Sequence, residues 1–319
     1  MTNKIKVNLF DLLTPIHFDE FWGFHSFSPE YPPTAIEWVK EGHGVGKAEF
    51  DGVTVFTDKS FAGQAPDSVK SKYKVAWLIE CRGVHPWAYE AIINFEDKFD
   101  YIFTYDEQLL LRGPKYVKSL FGMTRVSEKD AHIATKNKNL SLIASKRRDL
   151  RGHRLRHTVA EAIKDKYEVD LWGNAYKPFG IAGSAGNGYS AAAIGEGKAE
   201  PLKDYRFSIT IMNSKENNYF TETLVDVFRY GTIPIFWGCP NIGEYFNTDG
   251  ILQFNTGQEL ISILDSLTPA LYESKMEAIK ENFELAKKYV SVDDTFARNL
   301  IKTIPALGDT AALSGTLGE

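Results

Sequence analysis

Three stretches of the chain carry residue types suited to chemistry on an anionic, activated group. The first is residues 198–247, KAEPLKDYRFSITIMNSKENNYFTETLVDVFRYGTIPIFWGCPNIGEYFN. Its apolar run 207–212 delivers Asn213 and Ser214 at the carboxyl end of an expected strand, and Thr221 is placed to cap a helix whose first turn holds Glu222. Outward-pointing amides at a helix start carry partial positive charge, so such a start holds a diphosphate. It serves equally as an ordinary capped helix, with Glu222 complementing the dipole.

The second stretch, residues 145–157, reads SKRRDLRGHRLRH and follows the expected strand 140–144 directly. Dense positive charge at the opening of a helix is most simply a solvated face. Just beyond a strand, where a βα turn opens a cleft, it is also where a diphosphate is gripped. Arginine there stabilises negative charge growing on a leaving group.

The third is residues 74–80, KVAWLIE, an apolar run ending in Glu80. A carboxylate at the end of a buried strand is costly to desolvate unless it serves a polar cleft, where it can act as a general base. The plainer alternative is an ion pair with Arg82 or Lys72. Cys81 and His85 lie nearby, but nothing in the sequence activates the thiol as a nucleophile.

These residues need a scaffold, and the spacing of apolar runs supplies one. Expected strands fall at 5–10, 53–57, 74–80, 101–105 and 116–121, then, after a polar linker at 127–139, at 140–144, 167–172, 207–212, 233–237 and 251–254. Helices are expected at 151–166 and 221–230, and near the end at 258–267, 271–290 and 293–304. Strand and helix alternate in each half, which predicts an α/β protein with two doubly wound domains facing a central cleft. The domains are expected at 1–135 and 136–290, followed by a C-terminal helix and frayed tail at 291–319. The glycine-rich segment 180–197 is expected to be a mobile loop that closes over a ligand. The aromatic run 17–31 suits either sugar stacking or core packing.

Bulk composition narrows the class. A chain of 319 residues with 43% hydrophobic content buries a large core, and a net charge of −5 argues against nucleic acid as main partner. Two cysteines are too few for a disulfide framework or a cysteine zinc site. The seven histidines form neither His-x-His nor His-Glu-x-x-His, no Asp-x-Asp triplet occurs, and the glycines 42–46 form no Walker motif. The expectation is therefore a metal-independent, cytoplasmic protein without signal peptide, membrane anchor or cofactor, its oligomeric state open.

The segment 198–247 resembles the α-1,3-fucosyltransferase family, glycosyltransferase family 10. The shared features are Asn-Ser (Asn213, Ser214), Tyr-x-Thr-Glu (Tyr219 to Glu222), the Gly-Thr-Ile-Pro-Ile-x-Trp-Gly run, and the lead-in Lys198, Leu202, Tyr205, Arg206 and Phe207. Residues 74–106 and 141–173 are also similar.

The resemblance implies a GT-B fold and metal-independent transfer of fucose from GDP-fucose to a glycan hydroxyl with inversion. Asn213, Tyr219 and Glu222 would line the donor site, Glu222 meeting sugar or ribose. Ser145 precedes a helix on which Arg154 or Arg156 would bind the diphosphate, Arg156 fitting the helix pattern better. Glu80, which precedes Phe99, Asp100 and Tyr101 much as the family's catalytic glutamate precedes a Phe-Asp-Tyr segment, would be the base. Thr223 stands where the family has Lys, which leaves donor identity open and makes Lys215, Arg206 and Arg229 candidate substitutes. The alternatives are a relative with another nucleotide-sugar donor and a catalytically silent carbohydrate-binding protein of the same fold. A periplasmic-type two-lobed receptor conflicts with the expected lack of a signal peptide.

Overall fold

The computed structural model describes residues 4–11, 34–42, 44–177 and 198–307. The aromatic run 17–31 and the glycine-rich segment 180–197 lie outside the described residues. The chain divides into two compact units, Met1–Phe121 with Ser291–Glu319, and Gly122–Val290.

The first unit contains a six-stranded parallel sheet, β1 (Ile5–Phe10), β2 (Ile36–Val39), β3 (Glu49–Thr57), β4 (Lys70–Trp77), β5 (Tyr101–Thr104) and β6 (Tyr116–Lys118), in the order β2-β1-β3-β4-β5-β6. The carboxyl ends of β3 (VTVFT) and β4 (VAW) are buried, as in a parallel sheet covered on both faces, while their amino ends are partly exposed. The chain leaves β1 toward β2 on one side and resumes at β3 on the other, so the sheet's order reverses between β1 and β3. Such a switch point opens a crevice at the carboxyl ends of the strands.

The helix Val292–Thr303 is built into this unit. Phe296 stacks on Trp77 at 4.2 Å between ring centroids, Asp293 accepts from Trp38 Nε1 at 2.6 Å, and Asp294 accepts from the amides of Thr34 and Ala35. Burial of this aromatic face explains why the last helix packs here instead of forming a separate tail.

The second unit contains β7 (Lys138–Ile143), β8 (Asp170–Trp172), β9 (Tyr205–Ile211), β10 (Ile233–Trp237) and β11 (Leu252–Gln253), all parallel, in the order β11-β10-β9-β7-β8. Here the order reverses between β7 and β9. The helix Arg151–Ile163 packs on the sheet through Val159, Ala160 and Ile163, and the helix Gly257–Ser266 through Leu260 and Leu264.

Two departures from the sequence reading have identifiable causes. The second unit begins at Gly122, so the expected linker at 127–139 lies inside it: Asp226 accepts from the Thr124 hydroxyl at 2.7 Å and the Arg125 amide at 2.8 Å, and Lys136 donates to Lys203 O, Tyr230 O and the Thr232 hydroxyl. The single helix expected at 271–290 is two, Pro269–Ser274 and Met276–Ala286, with Lys275 between them out of helical geometry. Among the described residues no helix is long and apolar enough to cross a membrane.

Candidate functional site

In the second unit, Ser145 lies just past β7 and Asn213 just past β9, on the two strands that flank the switch point. The intervening helix Arg151–Ile163 begins there with no side chain capping it. Gly152 makes the close approach possible. A Cβ at this residue would stand 1.8 Å from the Met212 carbonyl oxygen, and its amide donates to Asn213 O at 3.0 Å. Only glycine lets the helix start sit against the end of β9.

The basic cluster is sorted by this geometry. Arg156 donates through Nε to Ile211 O at 2.9 Å and through Nη2 to Asn213 Oδ1 at 3.1 Å, which fixes its guanidinium at the carboxyl end of β9. Arg154 is exposed and turns to the carbonyls of Arg148 and Asp149 at 3.1 and 2.7 Å. Arg147 forms two hydrogen bonds to Asp149, which also accepts from His153. The Arg147 hydrogen bond, first among its causes, holds the Asp149 carboxyl down at about 2. Arg151 lies over the Trp237 ring at 5.2 Å, at the end of β10; the sequence reading did not single it out.

The second helix start behaves as expected locally. Thr221 caps the helix Glu222–Arg229 by accepting from the Thr223 amide at 3.3 Å. Glu222 is largely buried, 3.9 Å from Arg125 Nε. Burial alone would raise its carboxyl, but Arg125, Lys198 and the Thr221 hydroxyl together pull it below the usual carboxylate range. Glu222 is therefore an anion at neutral pH. Tyr219 is only 2% exposed and follows Asn218, which adopts φ +61° with its amide donating to Asn241 Oδ1.

The residues proposed to replace the family lysine fall in different places. Lys215 is exposed just beyond β9 and donates to Asn255 Oδ1. Arg206 sits at the amino end of β9, bonded to the carbonyls of Lys136 and Lys138, and Arg229 is fully buried at the far end of its helix, paired with Glu128. Neither arginine lies at the carboxyl end of the sheet.

In the first unit β4 ends at Trp77, so Glu80 stands in the bend beyond it and not on the strand. Its amide donates to Asp58 Oδ1 at 3.4 Å, and its carbonyl accepts from the Tyr89 hydroxyl. Arg82, the ion-pair partner considered for Glu80, makes two hydrogen bonds to Asp106 at 2.6 and 3.1 Å. Cys81 is fully buried, and His85 is pushed below its ordinary value by burial and by Lys59. A buried thiol beside a neutral imidazole makes a poor nucleophile. Asp58, a neighbour the sequence reading missed, has no linear motif to announce it.

Fold and site together define a class: a parallel α/β protein of two Rossmann-like units, one of which gathers cations and helix amides at its switch point. The chain belongs to glycosyltransferase family 10. The model for the C-terminal part of that family, described as fucosyltransferase, matches residues 133–298.

Alpha-(1,3)-fucosyltransferase FucT of Helicobacter pylori is 34% identical over 76 residues, 23% of this chain and 15% of that protein. A putative fucosyltransferase-like protein of Arabidopsis thaliana is 30% identical over 105 residues, 31% and 19% respectively. The matched segments thus span less than a fifth of either relative. A solved alpha1,3-fucosyltransferase with GDP aligns over 94% of this chain and 90% of its own, with 15% identity and a TM-score of 0.51. Another with GDP-fucose covers 96% and 91%, with 15% identity and a TM-score of 0.50. These likenesses concern the fold, which is of GT-B type, as the family resemblance implies.

Proposed function

We propose that the chain is an inverting glycosyltransferase that moves fucose from GDP-fucose to a hydroxyl of a glycan acceptor. The observation that carries the proposal is the pairing of Arg156 with Asn213 at the switch point of the unit matched by the family model. In this reading Arg156, with Ser145 and the start of the helix Arg151–Ile163, holds the diphosphate, and Arg154 remains the second candidate. Asn213, Tyr219, Glu222 and Thr223 surround the donor sugar and ribose.

Glu80 accepts the proton of the acceptor hydroxyl. The acceptor oxygen then bonds to the anomeric carbon as the bond from that carbon to the β-phosphate oxygen breaks, releasing GDP. Attack from the face opposite the leaving group inverts the centre. Charge on the departing GDP is met by arginine and helix amides, a role that metal ions fill in other transferases, so no metal is needed. The two free cysteines suit a reducing, cytoplasmic setting.

Calorimetric titration of GDP and UDP, paired with turnover of GDP-fucose in chelator, tests the proposal. Tighter GDP binding and fucose transfer without metal are expected. Preferential UDP binding overturns the donor and favours a relative with another nucleotide sugar, as Thr223 suggests. Sugar binding with no release of nucleotide from any donor would make the chain a silent binding protein.

A further inference from the structure

We propose that Asp58 is a positioning residue for Glu80, holding in place the backbone from which the base projects; the inference rests on the reading of Glu80 as the base. Asp58 directly follows β3, one of the two strands at the switch point of the first sheet, and Asp11 follows β1, the other. Glu80 lies beyond β4, the next strand along.

Asp58 is fully buried and adopts φ +36°, a left-handed conformation that a residue with a Cβ takes only when its surroundings enforce it. What the conformation achieves is visible in its contacts. Oδ1 accepts from the Ile79 amide at 2.9 Å and from the Glu80 amide at 3.4 Å, tying the end of β3 to the bend after β4. The backbone of Glu80 is held on both sides, its N–H by Asp58 and its carbonyl by the Tyr89 hydroxyl.

Oδ2 of Asp58 is buried and has no hydrogen-bond partner among the described residues. An ionised carboxylate in that position, facing Glu80 and Asp11, is strongly disfavoured. Burial, then the charge of Glu80, then that of Asp11 raise its proton affinity well above the usual range, against the two amides that lower it. A neutral carboxyl still offers its carbonyl oxygen to both amides while adding no second negative charge beside the base. Asp11 is itself tied down, accepting from the Thr57 hydroxyl at 2.7 Å.

The chemistry asked of Asp58 is thus that of a neutral acceptor, which an asparagine reproduces and an alanine does not. The test measures kcat and KM for GDP-fucose transfer in D58A, D58N and E80Q, alongside carbon-13 NMR titration of the Asp58 carboxyl in the wild type and E80Q. Expected are a fall in kcat of roughly tenfold or more in D58A with KM for the donor held, and rescue to within about threefold in D58N. The Asp58 titration midpoint should move down in E80Q. Wild-type kcat in D58A, or equal loss in D58N and D58A, overturns the proposal, as does an Asp58 midpoint that ignores E80Q. Should E80Q keep full activity, the assignment of the base fails instead. The titration reads the coupling of the two carboxyls even if D58A does not fold or no donor is turned over.

Discussion

Arg156 and Asn213 meet side chain to side chain, the arginine Nη2 donating to the asparagine Oδ1 at 3.1 Å while its Nε holds the carbonyl of Ile211. The contact links a helix to the end of β9 and sets a guanidinium at the point where the sheet's strand order reverses. Arg154, two residues earlier, points instead at the loop carbonyls of Arg148 and Asp149.

The two arginines should therefore separate in a binding experiment. A charge-assisted hydrogen bond to a phosphate contributes about 1.5–3 kcal/mol, so R156A should weaken GDP binding by roughly 10- to 100-fold. R154A should change it by less than about threefold. Calorimetry on both variants decides, and equal losses would contradict the assignment.

Gly152 gives a test of how the helix is seated. With a Cβ 1.8 Å from the Met212 carbonyl oxygen, G152A must push helix and strand apart, since the clashing atom is backbone and cannot rotate away. A loss of about 1–3 kcal/mol in unfolding free energy is expected, together with weaker GDP binding. Chemical denaturation and calorimetry on one preparation check both. Unchanged stability would mean that the helix does not approach the strand so closely.

Thr223 sits in the first turn of its helix, half-buried beside Glu222, where the family carries lysine. Installing the lysine sets two effects against each other. A cation at a helix start costs about 0.3–1 kcal/mol, less than the roughly 1.5–3 kcal/mol of a charged hydrogen bond to a diphosphate. The difference of roughly 0.5–2.7 kcal/mol predicts that T223K lowers the GDP dissociation constant by about 2- to 100-fold, with a slightly lower melting temperature. Weaker GDP binding in T223K would show that the diphosphate lies elsewhere.

Much of this architecture is written in local pattern. β1 and β10 have the expected bounds because each is rich in apolar residues and bounded by turn or polar residues, Lys4 and Asp11 for β1 and Thr232 and Gly238 for β10, and the capping Thr221 announces its helix. What escapes the sequence depends on distant partners. β2, only four residues long and interrupted by Glu37, is too short to register as a pattern and gains its identity by pairing with β1. Asp58 matters because amides some twenty residues away point at it. The polar segment 127–139 resembles a linker until Lys136 is seen reaching main-chain carbonyls of Lys203 and Tyr230. Hydrophobic periodicity carries no signal for polar residues satisfied across long sequence separations.

Lys136 also yields a prediction about pH. Its ammonium is buried and donates to two carbonyls and the Thr232 hydroxyl, yet burial pushes its pKa down from 10.5 to about 7, only partly opposed by Asp204. Because the folded value lies below the unfolded one, the unfolded chain binds more protons between these limits. The burden on the folded state is complete below about pH 7 and is relieved as pH rises toward the unfolded value. Stability should thus increase from pH 7 to pH 9.5 by an amount on the order of a few kcal/mol. K136M removes the charge but strands its three acceptors, so it should be destabilised at pH 9.5 and lose the pH-dependent gain. Urea unfolding of both proteins at the two pH values reads the slopes. A wild type that weakens on going to pH 9.5, or a K136M variant that keeps the full rise, would show that Lys136 is charged throughout.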